Sequence, residues 1–244
     1  MFDIFIDAYV RFFAVLLPAL LITLVTLGAA RAGLNTQQTL RTAAFIAALF
    51  GIWFAISSLL GQAGLLMPPP TLTDPPIVLF VLFGGAALLF TLARGTNTGR
   101  SITDALGQDM LIGFQIPRIM GAVFVLGWLL GAIPWQFALP AGLGDIWAGV
   151  AGYRAMRATQ RGDPNAAQMV LRANIIGLAD FAVAIVTGLI TSEGFLHLLS
   201  RDAPNIINAY PLALFPGFFV ALFTAMHMLS LSRLRQDNRA EALA

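Results

Sequence analysis

The sequence predicts an all-α, polytopic membrane protein of seven transmembrane helices, with the N-terminus outside and the C-terminus cytoplasmic, forming one domain over residues 1–244. Three observations lead there. Of the residues 58% are hydrophobic and only 11% charged, with a mean hydropathy of +0.82, so polar side chains are too few to cover a water-soluble globule. The apolar residues fall in blocks of about 18 to 25, the length a helix rising ~1.5 Å per residue needs to cross a ~30 Å hydrocarbon core. Arginine is rich in every second loop between these blocks and scarce in the others.

The predicted spans are residues 12–30, 42–61, 76–93, 111–132, 135–153, 167–190 and 209–230. Each gap carries a helix-breaking signal. Arg31-Ala-Gly-Leu-Asn-Thr-Gln-Gln38 separates the first two, Met67-Pro-Pro-Pro70 with Asp74-Pro-Pro76 the second and third, and Arg94-Gly-Thr-Asn-Thr-Gly-Arg100 the third and fourth. Ala132-Ile-Pro134, Arg161-Gly-Asp-Pro-Asn165 and the stretch from Ser192 to Asn208 complete the set. Ser101-Ile-Thr-Asp104 has the form of a capping box and reads as an interfacial start to the fourth helix.

Orientation follows from the arginines. Arg31, Arg41, Arg94, Arg100, Arg154, Arg157, Arg161, Arg233, Arg235 and Arg239 fall on one side, against Arg11 and Arg201 on the other. A miscount by one span would scramble that alternation.

Composition also excludes chemistries. There is no cysteine, hence no disulfide framework, thiolate metal site or cysteine nucleophile. All fourteen basic residues are arginine, which removes a Schiff base to retinal and a P-loop phosphate clamp. The pI of about 9.7 would suggest nucleic acid in a soluble protein, but arginines beside membrane spans set topology instead, so no nucleic-acid partner is expected. The opening Met1-Phe-Asp-Ile-Phe-Ile-Asp7 carries two acids before any base, and no small-residue cleavage site follows the first apolar run, so a signal peptide is not expected.

Ionisable groups inside spans cost several kcal/mol unless paired or hydrated, so they are the best pointers to a site. Arg118, Asp145, Arg172, Asp180 and His227 stand out. From a turn near Gly162, Asp145 lies seventeen residues back and Asp180 eighteen forward, which puts the two carboxylates level near mid-membrane. From the turn at Ile133-Pro134, Arg118 and Asp145 differ in depth by only ~5 Å, within reach of a guanidinium. Gly142, Asp145, Gly149 and Gly152 share one helical face, as do Gly177, Asp180, Ala184 and Gly188; such small-residue stripes turn the aspartates into the bundle. Pro140, Gly142 and Gly144 are expected to loosen the fifth helix just outside Asp145.

Two readings of these residues stand side by side. In one, Asp145 and Asp180, neutralised in part by Arg118 and Arg172, form a buried site for a proton, cation or polar ligand. In the other, Asp145–Arg118 is a structural ion pair and Asp180 is bonded to Asn174 or a backbone carbonyl. His227 lies near the level of Arg172 as a hydrogen-bonded packing residue or a ligand. Met226 and Met228 flank it but diverge around the helix, so they form no copper clamp. Glu193 and His197, four apart with Asp202 nearby, read as a solvated loop pair, since a zinc site would need further ligands. Trp53, Trp128, Trp135, Trp147 and the nineteen phenylalanines read as packing and interfacial anchors. No His-Glu-x-x-His, Gly-x-Ser-x-Gly or paired-glutamate pattern marks an enzyme, and no cofactor is indicated.

At Phe137-Ala-Leu-Pro-Ala-Gly-Leu-Gly-Asp145, Tyr210-Pro-Leu-Ala-Leu-Phe-Pro216 and His227-Met-Leu-Ser230, the chain resembles uncharacterised bacterial multi-pass membrane proteins. The likeness covers roughly the last half, implies a bacterial source and brings no activity with it. The leading expectation is an inner-membrane protein whose polar centre on helices four to six binds or transports a small ligand or ion, coupled to protons. A non-catalytic accessory or scaffold subunit with a membrane-protein partner is the second class, an intramembrane aspartyl-type hydrolase the third and a seven-helix sensor the fourth.

Overall fold

The computed structural model describes residues 2–241, with side chains over 4–237; Met1 and the side chain of Arg239 lie outside the described residues. The described chain is helical, and no strand occurs among these residues. Among the described residues, six helical segments are long and apolar enough to cross a membrane: Ile4–Arg31, Thr36–Gln62, Ile77–Gly95, Gln108–Leu129, Ala166–Thr191 and Phe215–Asp237. Bulky apolar side chains face outward along them, among them Val15, Ile52 and Phe80. Such an exterior suits hydrocarbon and not water, so the chain is membrane-embedded.

The helices are α1 (Phe2–Arg31), α2 (Thr36–Gln62), α3 (Ile77–Gly95), α4 (Asn97–Asp104), α5 (Gln108–Gly113), α6 (Ala122–Leu129), α7 (Trp135–Arg161), α8 (Ala166–Thr191) and α9 (Val220–Glu241). Asn35 and Gln38 cap α2 reciprocally, each side chain taking the other's backbone N–H. Gly162, at φ +67°, closes α7 in the left-handed conformation that glycine adopts at least cost, and the chain reverses there into α8.

Several elements differ from the sequence reading. Ser101–Asp104 does not open the fourth span: these residues end α4, whose cap is Thr96, and the span itself starts at Gln108. That span is not one helix, since a 3-10 stretch over Ile116–Gly121 separates α5 from α6. Residues 210–213 form turns, and the last helical segment carries at its start a π stretch over Phe215–Phe219 that leads into α9. Conversely α7 runs unbroken through Pro140 to Arg161, so the expected loosening beside Asp145 is absent and the interruption lies in its neighbour. Glu193 and His197 sit in non-helical chain, with Gly194 between them at φ +151°, and share no helical face.

The segment Phe215–Glu241 is the central post of the bundle. Phe218, Phe219, Ala221 and Leu222 are fully buried, and the segment packs on α2, α3, α5 and α8. Within the irregular turn that follows Pro216, the Gly217 carbonyl accepts from two donors of α2: Trp53 Nε1–H at 3.2 Å and Ser57 Oγ–H at 2.9 Å. The indole lies edge-on to Phe218 and fills the space left by Gly85 on α3. Losing one donor leaves the carbonyl the other side-chain partner, but losing both removes each side-chain donor it has. Trp53→Phe or Ser57→Ala alone therefore costs about 1 kcal/mol, whereas the double variant costs more than the two added, as thermal unfolding in mild detergent would read.

The loops sort into two ends. At one, the Phe195 N–H donates to the Pro69 carbonyl at 3.0 Å and Ser200 bonds Gln136 at 2.9 Å, which ties the triple-proline loop, the start of α7 and the loop after α8 together. At the other, Arg233 bonds the Asp104 carbonyl and Gln160 reaches Asp109, so the arginine-rich segments gather there.

Candidate functional site: an arginine-bridged carboxylate pair

The site begins with the break in the fourth span. Pro117 has no N–H to continue an α-helical ladder, and the chain tightens to 3-10 turns in which Arg118 N–H bonds the Gln115 carbonyl at 3.1 Å. Within this stretch the Met120 carbonyl also accepts the Tyr9 hydroxyl of α1 at 2.7 Å. Close approach to α7 depends on that helix's glycine face. A Cβ on Gly142 would sit 3.0 Å from the Gly121 carbonyl, and one on Gly149 3.0 Å from that of Ile116. Backbone thus lies almost against backbone, and Arg118 emerges between α7 and α8.

Arg118 is fully buried, and its donors spread over three helices. Nε–H bonds Asp145 Oδ1 of α7 at 2.9 Å, a second nitrogen bonds Asp180 Oδ2 of α8, and the third meets both the Gly177 carbonyl at 3.0 Å and His227 Nε2 of α9 at 3.2 Å. The guanidinium carbon lies 3.7 Å from the centre of the Phe181 ring, a cation–π stack in a dry environment. A guanidinium can only donate, so His227 Nε2 accepts and its proton resides on Nδ1, which donates to Asn174 Oδ1 at 2.9 Å. Asn174 passes its own donors to the Val170 carbonyl and to Ser230 Oγ, and Ser230 accepts from Gln108 at 2.7 Å. A connected polar chain thus runs from the aspartates toward the arginine-rich end.

On the other side a narrow cavity of about 70 Å³ leads away from the carboxylates. Phe124, Phe137, Phe181 and Phe215 line it, and Asn208 stands toward the loop after α8. Asp180 Oδ1 has no hydrogen-bond partner although the residue is buried. It rests against the bare Cα of Gly144, where any side chain would displace it.

Of the residues singled out from sequence, Arg118, Asp145, Asp180 and His227 come together, with Asn174 one bond further out. Two placements need correction. Arg172 is exposed and touches none of them, because it precedes Asn174 by two residues and so points to roughly the opposite side of α8. Asn174 does not bond Asp180; it bonds His227 and Ser230. Sequence reasoning missed the Gly177 carbonyl, Phe181, Ser230 and Gln108. A polar stripe at Gln108, Gln115 and Arg118 on an otherwise apolar span was the one available signal.

An all-helical, apolar bundle closed around a bridged carboxylate pair defines a polytopic membrane protein with an intramembrane ionic centre. The chain belongs to the family described as Domain of unknown function (DUF8737), whose model matches residues 75–235 and so takes in every residue of this centre. No curated protein and no solved structure matches it.

Proposed function

We propose that this chain is a single-domain, seven-span protein of a bacterial inner membrane, N-terminus outside and C-terminus cytoplasmic, whose buried centre binds or moves a proton or small cation. The observation that carries this reading is a charge imbalance. Two carboxylates, one of them with an unpartnered oxygen, face one guanidinium, and the adjoining imidazole presents only a lone pair. An uncompensated charge at this depth costs several kcal/mol, so one further unit of positive charge is favoured there. The phenylalanine-lined cavity gives access from one side, and the chain through His227, Asn174, Ser230 and Gln108 extends toward the other.

The seventh span is α7. It is 27 residues long, about 40 Å, and joins the two loop ends described above, although its glycines, Asp145 and terminal arginines make it less apolar than the other six. The arginine asymmetry between those ends supports the orientation, and the resemblance noted from sequence supports the bacterial source.

Reconstituted into vesicles, the protein is expected to show pH-dependent cation binding or flux that Asp145→Asn and Asp180→Asn each abolish while both variants still fold. Normal behaviour in both variants would refute the reading. It would favour instead an accessory subunit held rigid by a structural ion triad, for which the full engagement of Arg118 speaks; such a subunit would co-purify with a fixed membrane partner.

A further inference from the structure

A second cavity, unconnected with the proposed ion centre, lies between α1, α2, α3, α4 and α9 in the arginine-rich half of the bundle and measures about 490 Å³. Leu21, Phe50, Leu92, Leu222 and Met226 are among its walls, and its surface is overwhelmingly apolar. A cavity of ~150 Å³ accepts benzene, so this one has room for roughly twenty carbons, comparable with one lipid acyl chain. It follows α2 from Arg41 to Phe50, about 13 Å, close to the depth of one leaflet of a ~30 Å core.

Its polar groups collect at one end. Arg41, in the first turns of α2, lines the mouth and has no hydrogen bond or ion pair among the described residues. Opposite it stands the N-terminal turn of α4, where Thr96 Oγ1 takes the Gly99 N–H and the helix polarity beside Thr98 favours an anion. A free guanidinium and a helix N-terminus flanking the entrance of a chain-sized apolar slot suit one kind of molecule.

We propose that this cavity is a binding site for an anionic phospholipid of the leaflet at the arginine-rich end, with one acyl chain inserted between α2, α3 and α9 and the phosphate held between Arg41 and the start of α4. Zwitterionic lipid carries the same chains, but its ammonium offsets the attraction of the uncompensated arginine. Ala93 and Ala225 line the slot, so Ala93→Phe or Ala225→Phe fills it, the first beside the mouth, where Ala93 adjoins Gly99, and the second on α9 away from Arg41 and α4.

The test is native mass spectrometry of the full chain, extracted from vesicles made of equal parts phosphatidylglycerol and phosphatidylethanolamine. One retained phosphatidylglycerol per chain is expected, favoured about fivefold over phosphatidylethanolamine. Arg41→Gln removes that preference, Arg235→Gln leaves it, and the phenylalanine variants lose the retained lipid. If the filled variants fail to fold, Arg41→Gln, which alters an exposed side chain, still decides the matter. Equal retention of the two lipids by the unaltered protein, retention of free fatty acid instead, an empty protein, or undiminished lipid in folded phenylalanine variants would each overturn the proposal.

Discussion

Arg118→Leu is expected to destabilise the protein by about 3–5 kcal/mol, the largest loss of any single substitution at the centre. The reason is what remains behind. Asp145 and Asp180 lose the only cation that touches them among the described residues, the Gly177 carbonyl and His227 Nε2 lose their donor, and the Phe181 face loses its stacked partner. Arg118→Lys recovers little, because a single ammonium cannot reach Asp145, Asp180 and Gly177 from one point. Replacing Arg118, Asp145 and Asp180 together by leucine should be far milder than Arg118→Leu alone, since buried ionic clusters exchanged whole for apolar groups often leave stability unchanged. Thermal unfolding of the variants in one detergent checks the order. A triple variant less stable than Arg118→Leu would show that the ion triad contributes net stability of its own.

Gly177→Ala is the second large effect, about 3 kcal/mol, from a single methyl group. A Cβ there would overlap His227 Nε2 and come within 2.7 Å of Arg118. Neither neighbour can yield cheaply, because the imidazole is held by Asn174 and the guanidinium by both aspartates. Overpacking a tight interior costs about 1–3 kcal/mol, and loss of the Arg118 bond to the Gly177 carbonyl adds to it. Gly51→Ala and Gly84→Ala are the matched controls, since nothing lies within 4 Å of either added methyl. They should be neutral or slightly stabilising, as alanine for glycine usually is in a helix. Equal losses at all three positions would point to general helix sensitivity and not to this contact.

Why some of the centre is legible in the chain and some is not follows from which distances are local. Asp145 and Asp180 could be placed level by counting because α7 and α8 are unbroken helices meeting at the Gly162 turn, so residue number converts directly to depth. The glycine stripe on α7 likewise announced a close neighbour. Arg172 shares the depth of the centre but not its helical face, so counting residues from the turn does not separate it from Asn174. The 3-10 break at Pro117 was hidden inside a span that looked uniformly apolar, and Pro140, the more conspicuous proline, leaves α7 continuous. His227 as a partner of Arg118 lies beyond local reasoning: which distant segment occupies the middle of a bundle depends on packing of all of them, and Phe215–Glu241 takes that place through buried Phe215, Phe218, Phe219 and Phe223.

The single most direct measurement is infrared difference spectroscopy of the carboxyl bands in reconstituted protein, recorded as protons or small cations are added. If the centre takes up one positive charge, a carboxyl signal should respond to the addition, and Asp180→Asn should abolish it in protein whose helical bands are unchanged. Carboxyl bands that stay fixed across every proton and cation concentration at which the protein remains folded would contradict the account.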